Sequence, residues 1–107
     1  MKLYSTNHQS PDVDLKEAVF RGLPQDNGLY MPYIIPRLPD SFFQNIEQLS
    51  LQEMAFEVAA ALIQDIPKER LKKIVYDTLA FEVPVLNVHD NIYALELIHG
   101  PSHAFKD

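Results

Sequence analysis

Apolar residues recur along 51–63 with the period of a helix: Leu51, Met54, Ala55, Val58, Ala59, Leu62 and Ile63 stand at i, i+3, i+4, i+7, i+8, i+11 and i+12. The spacing predicts a helix carrying one continuous apolar stripe. Ser50 followed three residues later by Glu53 supplies a capping box for its start. Pro67 suits a first helical position, and after it Leu71, Ile74, Val75, Thr78 and Leu79 repeat the period while Lys68, Arg70, Lys72, Lys73 and Asp77 take the remaining arc. Two stripes joined by Gln64 to Ile66 predict a helix hairpin whose apolar faces cover each other. A partner-binding surface is the competing reading of the first stripe.

The flanking segments follow other rules. Leu3 to Thr6 reads as a short extended segment. Asp14 with Glu17 makes a second capping-box signal, for a helix from Leu15 to Arg21 that Gly22 is placed to end. Residues 23–39 hold a turn signal at Asp26-Asn27-Gly28 and too many prolines for a helix or a central strand. Their aliphatics and tyrosines are wrong for disorder, so an ordered apolar loop is expected there. Ser41 with Gln44 predicts a short capped turn. After Pro84 the period changes. Val85, Leu86 and Val88 precede Asp90-Asn91, and Ile92, Tyr93, Leu95 and Leu97 follow it, which predicts a β-hairpin around a turn that tolerates positive φ. The fold class expected is mixed, α/β in the α+β sense.

Composition narrows the picture. A length of 107 residues with 47% apolar content suits one small core and is short for a cofactor enzyme. Nine basic against fifteen acidic residues, net −6, provide no basic face for nucleic acid. No cysteine is present, which excludes disulfides and thiolate ligands and makes a reduced, cytoplasmic setting the default. No apolar run approaches the roughly 20 residues of a membrane span.

The segment from Leu95 to Asp107 breaks these patterns. Gly100-Pro101 stops the strand, Ser102 is a good N-cap residue, and residues 103–107 are expected to begin a helix that the sequence does not complete, as in a piece of a longer protein. Five of the six lysines are accounted for by the exposed beginning or by one solvated helix face. Lys106 alone follows an apolar Ala-Phe pair beyond a strand-turn junction. An amine desolvated by apolar neighbours can attack a carbonyl to form a Schiff base, whereas a lone lysine is otherwise a solvated surface charge. His99 and His103 are four apart, but Gly100 and Pro101 forbid a helix between them and no third ligand stands near, so no metal site is expected. A Ser-x-x-Lys hydrolase pair fails because Lys106 is the fourth residue after Ser102.

LELIHGPSHAFKD, residues 95–107, resembles the threonine synthase signature LELFHGPT-x-AFKD, with Ile98 for Phe and Ser102 for Thr. Upstream, Tyr4-Ser5-Thr6 resembles that family's opening YST, and Glu17 to Leu23 its EALLxGL helix end. Asp26 to Pro32 is similar to DGGLYxP, with Asn27 in place of the first Gly. The resemblance runs co-linearly over essentially the whole chain. It implies residues 1–83 as a threonine synthase N-terminal domain, and residues 84–107 as the truncated start of a fold type II, tryptophan synthase β-like catalytic domain dependent on pyridoxal 5'-phosphate.

By the same resemblance, Lys106 is the catalytic and cofactor-binding residue, holding pyridoxal phosphate as an internal aldimine and moving protons in the reaction. The reaction is the last step of threonine biosynthesis, O-phospho-L-homoserine and water to L-threonine and phosphate. His99 and Ser102, at the turn before the lysine, are candidate substrate-binding residues, against plain turn and capping roles. The partners implied are the small-molecule substrate and the remainder of the protein's own catalytic domain, without nucleic acid or membrane. The cofactor's phosphate site lies beyond Asp107, so the 107 residues alone are expected to be inactive. The alternatives are a related phospho-amino-acid lyase or a serine/threonine dehydratase-like enzyme, or a non-catalytic helical interaction domain.

Overall fold

The computed structural model describes residues 1–107. A three-stranded antiparallel sheet of order β2-β1-β3 is built from β1 (Lys2–Ser5), β2 (Val13–Asp14) and β3 (Tyr30–Pro32). Alternation along β1 sends Leu3 and Ser5 to one face, where both are buried. There Leu3 and Val13 pack with Ala18 of helix α1 (Leu15–Arg21), and Met1, Leu15 and Tyr30 border the cluster. Helix α1 has the bounds expected from its caps. The capping box is only half formed: Asp14 accepts from the Glu17 amide at 2.7 Å, while the Glu17 carboxylate turns to Arg21 at 2.6 Å, its i+4 partner. Gly22 ends the helix at φ 73°, its N–H bonding the Ala18 carbonyl.

The expected 23–39 loop contains a strand. Strand β3 lies at a sheet edge, where proline is admissible because an outward-facing position needs no ladder donor, so Pro32 pairs opposite Leu3. Its entry is fixed by Asp26. The carboxylate accepts from Ser5 Oγ at 2.6 Å, from the Gln9 and Ser10 amides at 2.9 Å each and from the Gly28 amide at 3.0 Å. Thr6 Oγ1 accepts from the Leu29 amide at 2.9 Å. Asn27 takes φ 60°, the left-handed conformation that asparagine tolerates, and Gly28 is required because a Cβ there would stand 2.2 Å from Ser5 Oγ. The Tyr-Ser-Thr and Asp-Asn-Gly motifs are therefore two halves of one hydrogen-bonded knot.

Helix α2 (Asp40–Gln44) differs from expectation at its start. Pro39 is its N-cap and Ser41 lies inside it, without a side-chain cap. A 3₁₀ turn over Ile46–Gln48 leads into α3 (Leu51–Leu62), where Ser50 and Glu53 form both bonds of the capping box. Helix α4 (Lys68–Thr78) returns antiparallel, tied where the two ends meet by Gln52 Nε2 donating to the Leu79 carbonyl at 2.9 Å. Leu71, 2% exposed, is the anchor between them. The lysine face is not wholly solvated: Lys72 Nζ stands 5.9 Å from the Phe56 ring and 5.5 Å from the Tyr76 ring.

Strands β4 (Val85–His89) and β5 (Ile92–Leu95) form the expected hairpin around Asp90-Asn91, with Asp90 at φ 47° and a bulge at Val88. Leu97, expected in the second strand, lies past its end. The register puts Val85, Tyr93 and Leu95 on one face and Leu86, Ala94 and Ile92 on the other. All of these but half-buried Ala94 are exposed.

The whole molecule is open. Only 8 of 107 residues are buried. The radius of gyration is 16.8 Å, against about 13 Å for a compact domain of this length. The accessible surface of 8347 Å² exceeds the roughly 6,100 Å² expected for a folded monomer of this mass. No helix is long and apolar enough to cross a membrane.

Candidate functional site

Beyond β5, residues 96–107 fold back as irregular turns; the helix expected from Ser102 onward does not form. Three backbone bonds shape the segment: the Glu96 amide to the Pro84 carbonyl at 3.0 Å ties its start to the entry of β4, and the His103 amide to the Gly100 carbonyl at 3.0 Å and the Asp107 amide to the Ala104 carbonyl at 3.2 Å form its turns. The hydroxyl that would cap such a helix is turned to the Asp107 carboxylate instead, which accounts for the difference. Ser102 does not act as an N-cap. Its hydroxyl donates to Asp107 Oδ1, and its amide donates to Asp107 Oδ2 at 2.8 Å. His103 adopts φ 56°, and its Nδ1 lies 3.1 Å from the Ile98 carbonyl oxygen.

His99 Nε2 stands 2.6 Å from Glu96 Oε2, which orients the imidazole and leaves its Nδ1 open. His99 and His103 thus turn to separate partners. The Lys106 side chain is exposed and engages no carboxylate or carbonyl of the chain. The apolar surroundings expected for this amine are not formed by these residues, since Ala104 is exposed and Phe105 is 73% exposed. A lysine without an ion-pair partner, on a turn that also presents a hydroxyl and an imidazole, has the chemistry to hold a carbonyl cofactor covalently, so the residues present fit the reactive end of pyridoxal phosphate.

Asp107 is the residue that sequence reasoning missed. It is held below the usual carboxylate range chiefly by the Ser102 hydroxyl, helped by the Ser102 and Ala104 backbone. The signal available was the Gly-Pro turn at 100–101 followed by a serine and, five residues on, an acceptor. A 40 Å³ cavity beside this turn is bordered by Phe81, Val83, His99 and Phe105. A larger concavity, 880 Å³, shares none of these residues and opens between α1 and the start of α4, where Val19, Phe20 and Ile74 line an open cleft. That cleft also carries Asp14, Lys16, Asp65 and Arg70, so neither size nor polarity sets the turn apart; what the turn adds is a lysine close in sequence to a clamped serine and an oriented imidazole.

Comparison with known proteins agrees with the signature. The family described as Threonine synthase N terminus matches residues 2–79. A threonine synthase of Haemophilus influenzae is 39% identical over 108 residues, covering 100% of this chain and 25% of the relative. The crystal structure of threonine synthase from Escherichia coli superposes with a TM-score of 0.86 at 34% identity, covering 99% of this chain and 25% of that one. The PLP-bound threonine synthase of Brucella melitensis gives a TM-score of 0.83 at 29% identity, covering 99% and 24%. The chain spans about a quarter of the length of these relatives. Those matches favour the threonine synthase reading over a dehydratase-like enzyme or an interaction domain, and the chain belongs to the threonine synthase family, matching its N-terminal part.

Proposed function

We propose that the full-length protein carrying these residues converts O-phospho-L-homoserine and water to L-threonine and phosphate, and that Lys106 holds its pyridoxal phosphate covalently. Membership of the family supports the reaction. The observation that carries the site is the Lys106 amine, exposed and without an ion-pair partner on the turn that Ser102 and His99 share. When bound, the cofactor supplies the electron sink for charge that develops at the substrate carbons.

The chain's own groups have defined duties around it. The Lys106 amine would hold the cofactor in the resting protein and, when free of it, would take and return protons at the substrate's Cα and Cβ. The Ser102 hydroxyl proton is committed to Asp107, so Ser102 contributes an acceptor to the substrate or cofactor. His99, oriented by Glu96, contributes Nδ1.

Residues 1–83 serve as the N-terminal domain and residues 84–107 open the catalytic domain, a division supported by the change from helices to a hairpin at Pro84. The partner of the hairpin is the rest of that catalytic domain, since an apolar pattern on both faces suits a strand pair buried on both sides. A cytoplasmic setting accords with a chain free of cysteine. In the full-length protein, Lys106→Ala is expected to lower threonine formation at least about 10²- to 10⁴-fold, the range of a lost general acid/base. The 107 residues alone are expected to form none. Turnover of the Lys106→Ala protein at the wild-type rate would contradict the assignment.

A further inference from the structure

We propose that Asp107 is a positioning residue for Lys106, closing residues 100–107 into a loop through Ser102 so that the lysine amine is held outward in one direction. The proposal rests on the reading of Lys106 given above and adds the device that aims it. Three independent features converge on this aspartate. Both carboxylate oxygens are used, one by the Ser102 amide at 2.8 Å and the other by the Ser102 hydroxyl. The Asp107 amide bonds back to the Ala104 carbonyl, so its backbone and its side chain are both tied.

The third feature is steric. Gly100 is buried, and a Cβ on it would lie 2.3 Å from Asp107 Cβ and 2.5 Å from Asp107 Oδ2, so the absence of a side chain at residue 100 is what lets Asp107 seat there. The carboxyl is held below its ordinary range because the Ser102 hydroxyl and amide favour its charged form.

Such a loop has a consequence for the residue next to Asp107. The direction of Lys106 depends on the backbone of residues 104–107, which one amide bond alone would leave loose. The carboxylate clamp joins Asp107 to Ser102 across five residues and removes that freedom before any cofactor arrives. Ordering that is already present does not have to be supplied when the amine reacts, so the reacting geometry forms at lower cost. Asp107 touches neither substrate nor cofactor in this role; it acts through the backbone of Lys106.

The test uses the full-length protein and two readouts. Hydrogen exchange of the Ser102 amide in cofactor-free protein reads the clamp itself. The share of borohydride-fixed pyridoxal phosphate found on Lys106, relative to surface lysines such as Lys68, reads the aim of the amine. Asp107→Ala is expected to speed Ser102 exchange and to lower the Lys106 share by about tenfold each, the scale of a hydrogen bond to a charged group. Asp107→Asn, whose amide oxygen accepts from the Ser102 amide while its NH₂ donates to the Ser102 oxygen, is expected to recover most of both.

Gly100→Ala is expected to reproduce the Asp107→Ala loss by displacing the aspartate. Adding Ser102→Ala to Asp107→Ala is expected to cause little further change, because the two share one interaction. A folded Asp107→Ala or Gly100→Ala protein that keeps the wild-type Lys106 share would overturn the proposal. An unprotected Ser102 amide in the wild-type protein would overturn it also. A protected Ser102 amide in a wild-type protein never labelled at Lys106 would instead overturn the cofactor assignment.

Discussion

Asp26 shows how much one carboxylate can organise. It joins β1, the 6–10 turn and the start of β3 through bonds from Ser5, Gln9, Ser10 and Gly28, and those donors, Ser5 first, pull its pKa from the ordinary 3.8 to about 2. A depressed acid stabilises the fold above its unfolded value and loses that contribution as the pH falls from 3.8 through about 2. Asp26→Asn is therefore expected to flatten the acid dependence of thermal unfolding across that window, and an acid limb identical to wild type would contradict the role. Two glycines separate space from conformation. Gly22→Ala meets no atom within 4 Å but keeps φ at 73°, a strain of about 1–2 kcal/mol. Gly28→Ala drives a Cβ to within 2.2 Å of the buried Ser5 hydroxyl. Melting temperatures should fall further for Gly28→Ala than for Gly22→Ala; the reverse order would mean that the knot is not what holds β3. The residues of the knot were legible in the sequence as separate motifs, but their union was not. A hydrogen bond between Ser5 and Asp26 spans 21 residues and leaves no trace in local periodicity.

At the scale of elements, local chemistry was read well where the signals were reinforced. The α3 stripe and the Ser50–Glu53 box agree with each other and the helix starts where they place it. Ser41 with Gln44 lacked such support, and Pro39 took the N-cap instead. Strand β3 was hidden because its prolines spoke against a central strand, whereas its place is an edge. The α3–α4 hairpin depends on few buried contacts, with Leu71 the one fully buried residue of either helix. Leu71→Ala is expected to destabilise the full-length protein by about 2–5 kcal/mol, read from urea unfolding monitored on the hairpin. A loss below about 0.5 kcal/mol, the range of ordinary surface changes, would show that α4 is anchored elsewhere. The reactive turn was legible in its residues and not in its shape. Ser102 was assigned to a helix cap, and the acceptor that its hydroxyl and amide found, Asp107, lies past the lysine on which attention fell.

At the scale of the molecule, apolar content and burial diverge. The sequence is 47% apolar, yet Phe20 is 82% exposed, Val19 is 71% exposed, and both faces of the β4–β5 hairpin carry open side chains. Isolated two-stranded hairpins are marginal in water, so β4 and β5 need covering layers to persist. The relatives, about four times longer, have the length to provide them. On the proposed reading, the turn that β5 leads into supplies the covalent end of the site: an exposed amine, a clamped serine and an oriented imidazole. The most direct measurement of that assignment is borohydride reduction of the full-length protein with pyridoxal phosphate, followed by mapping of the modified peptide. The account predicts one dominant label on Lys106, in the peptide that also holds Ser102 and Asp107; a dominant label on any other lysine would contradict it.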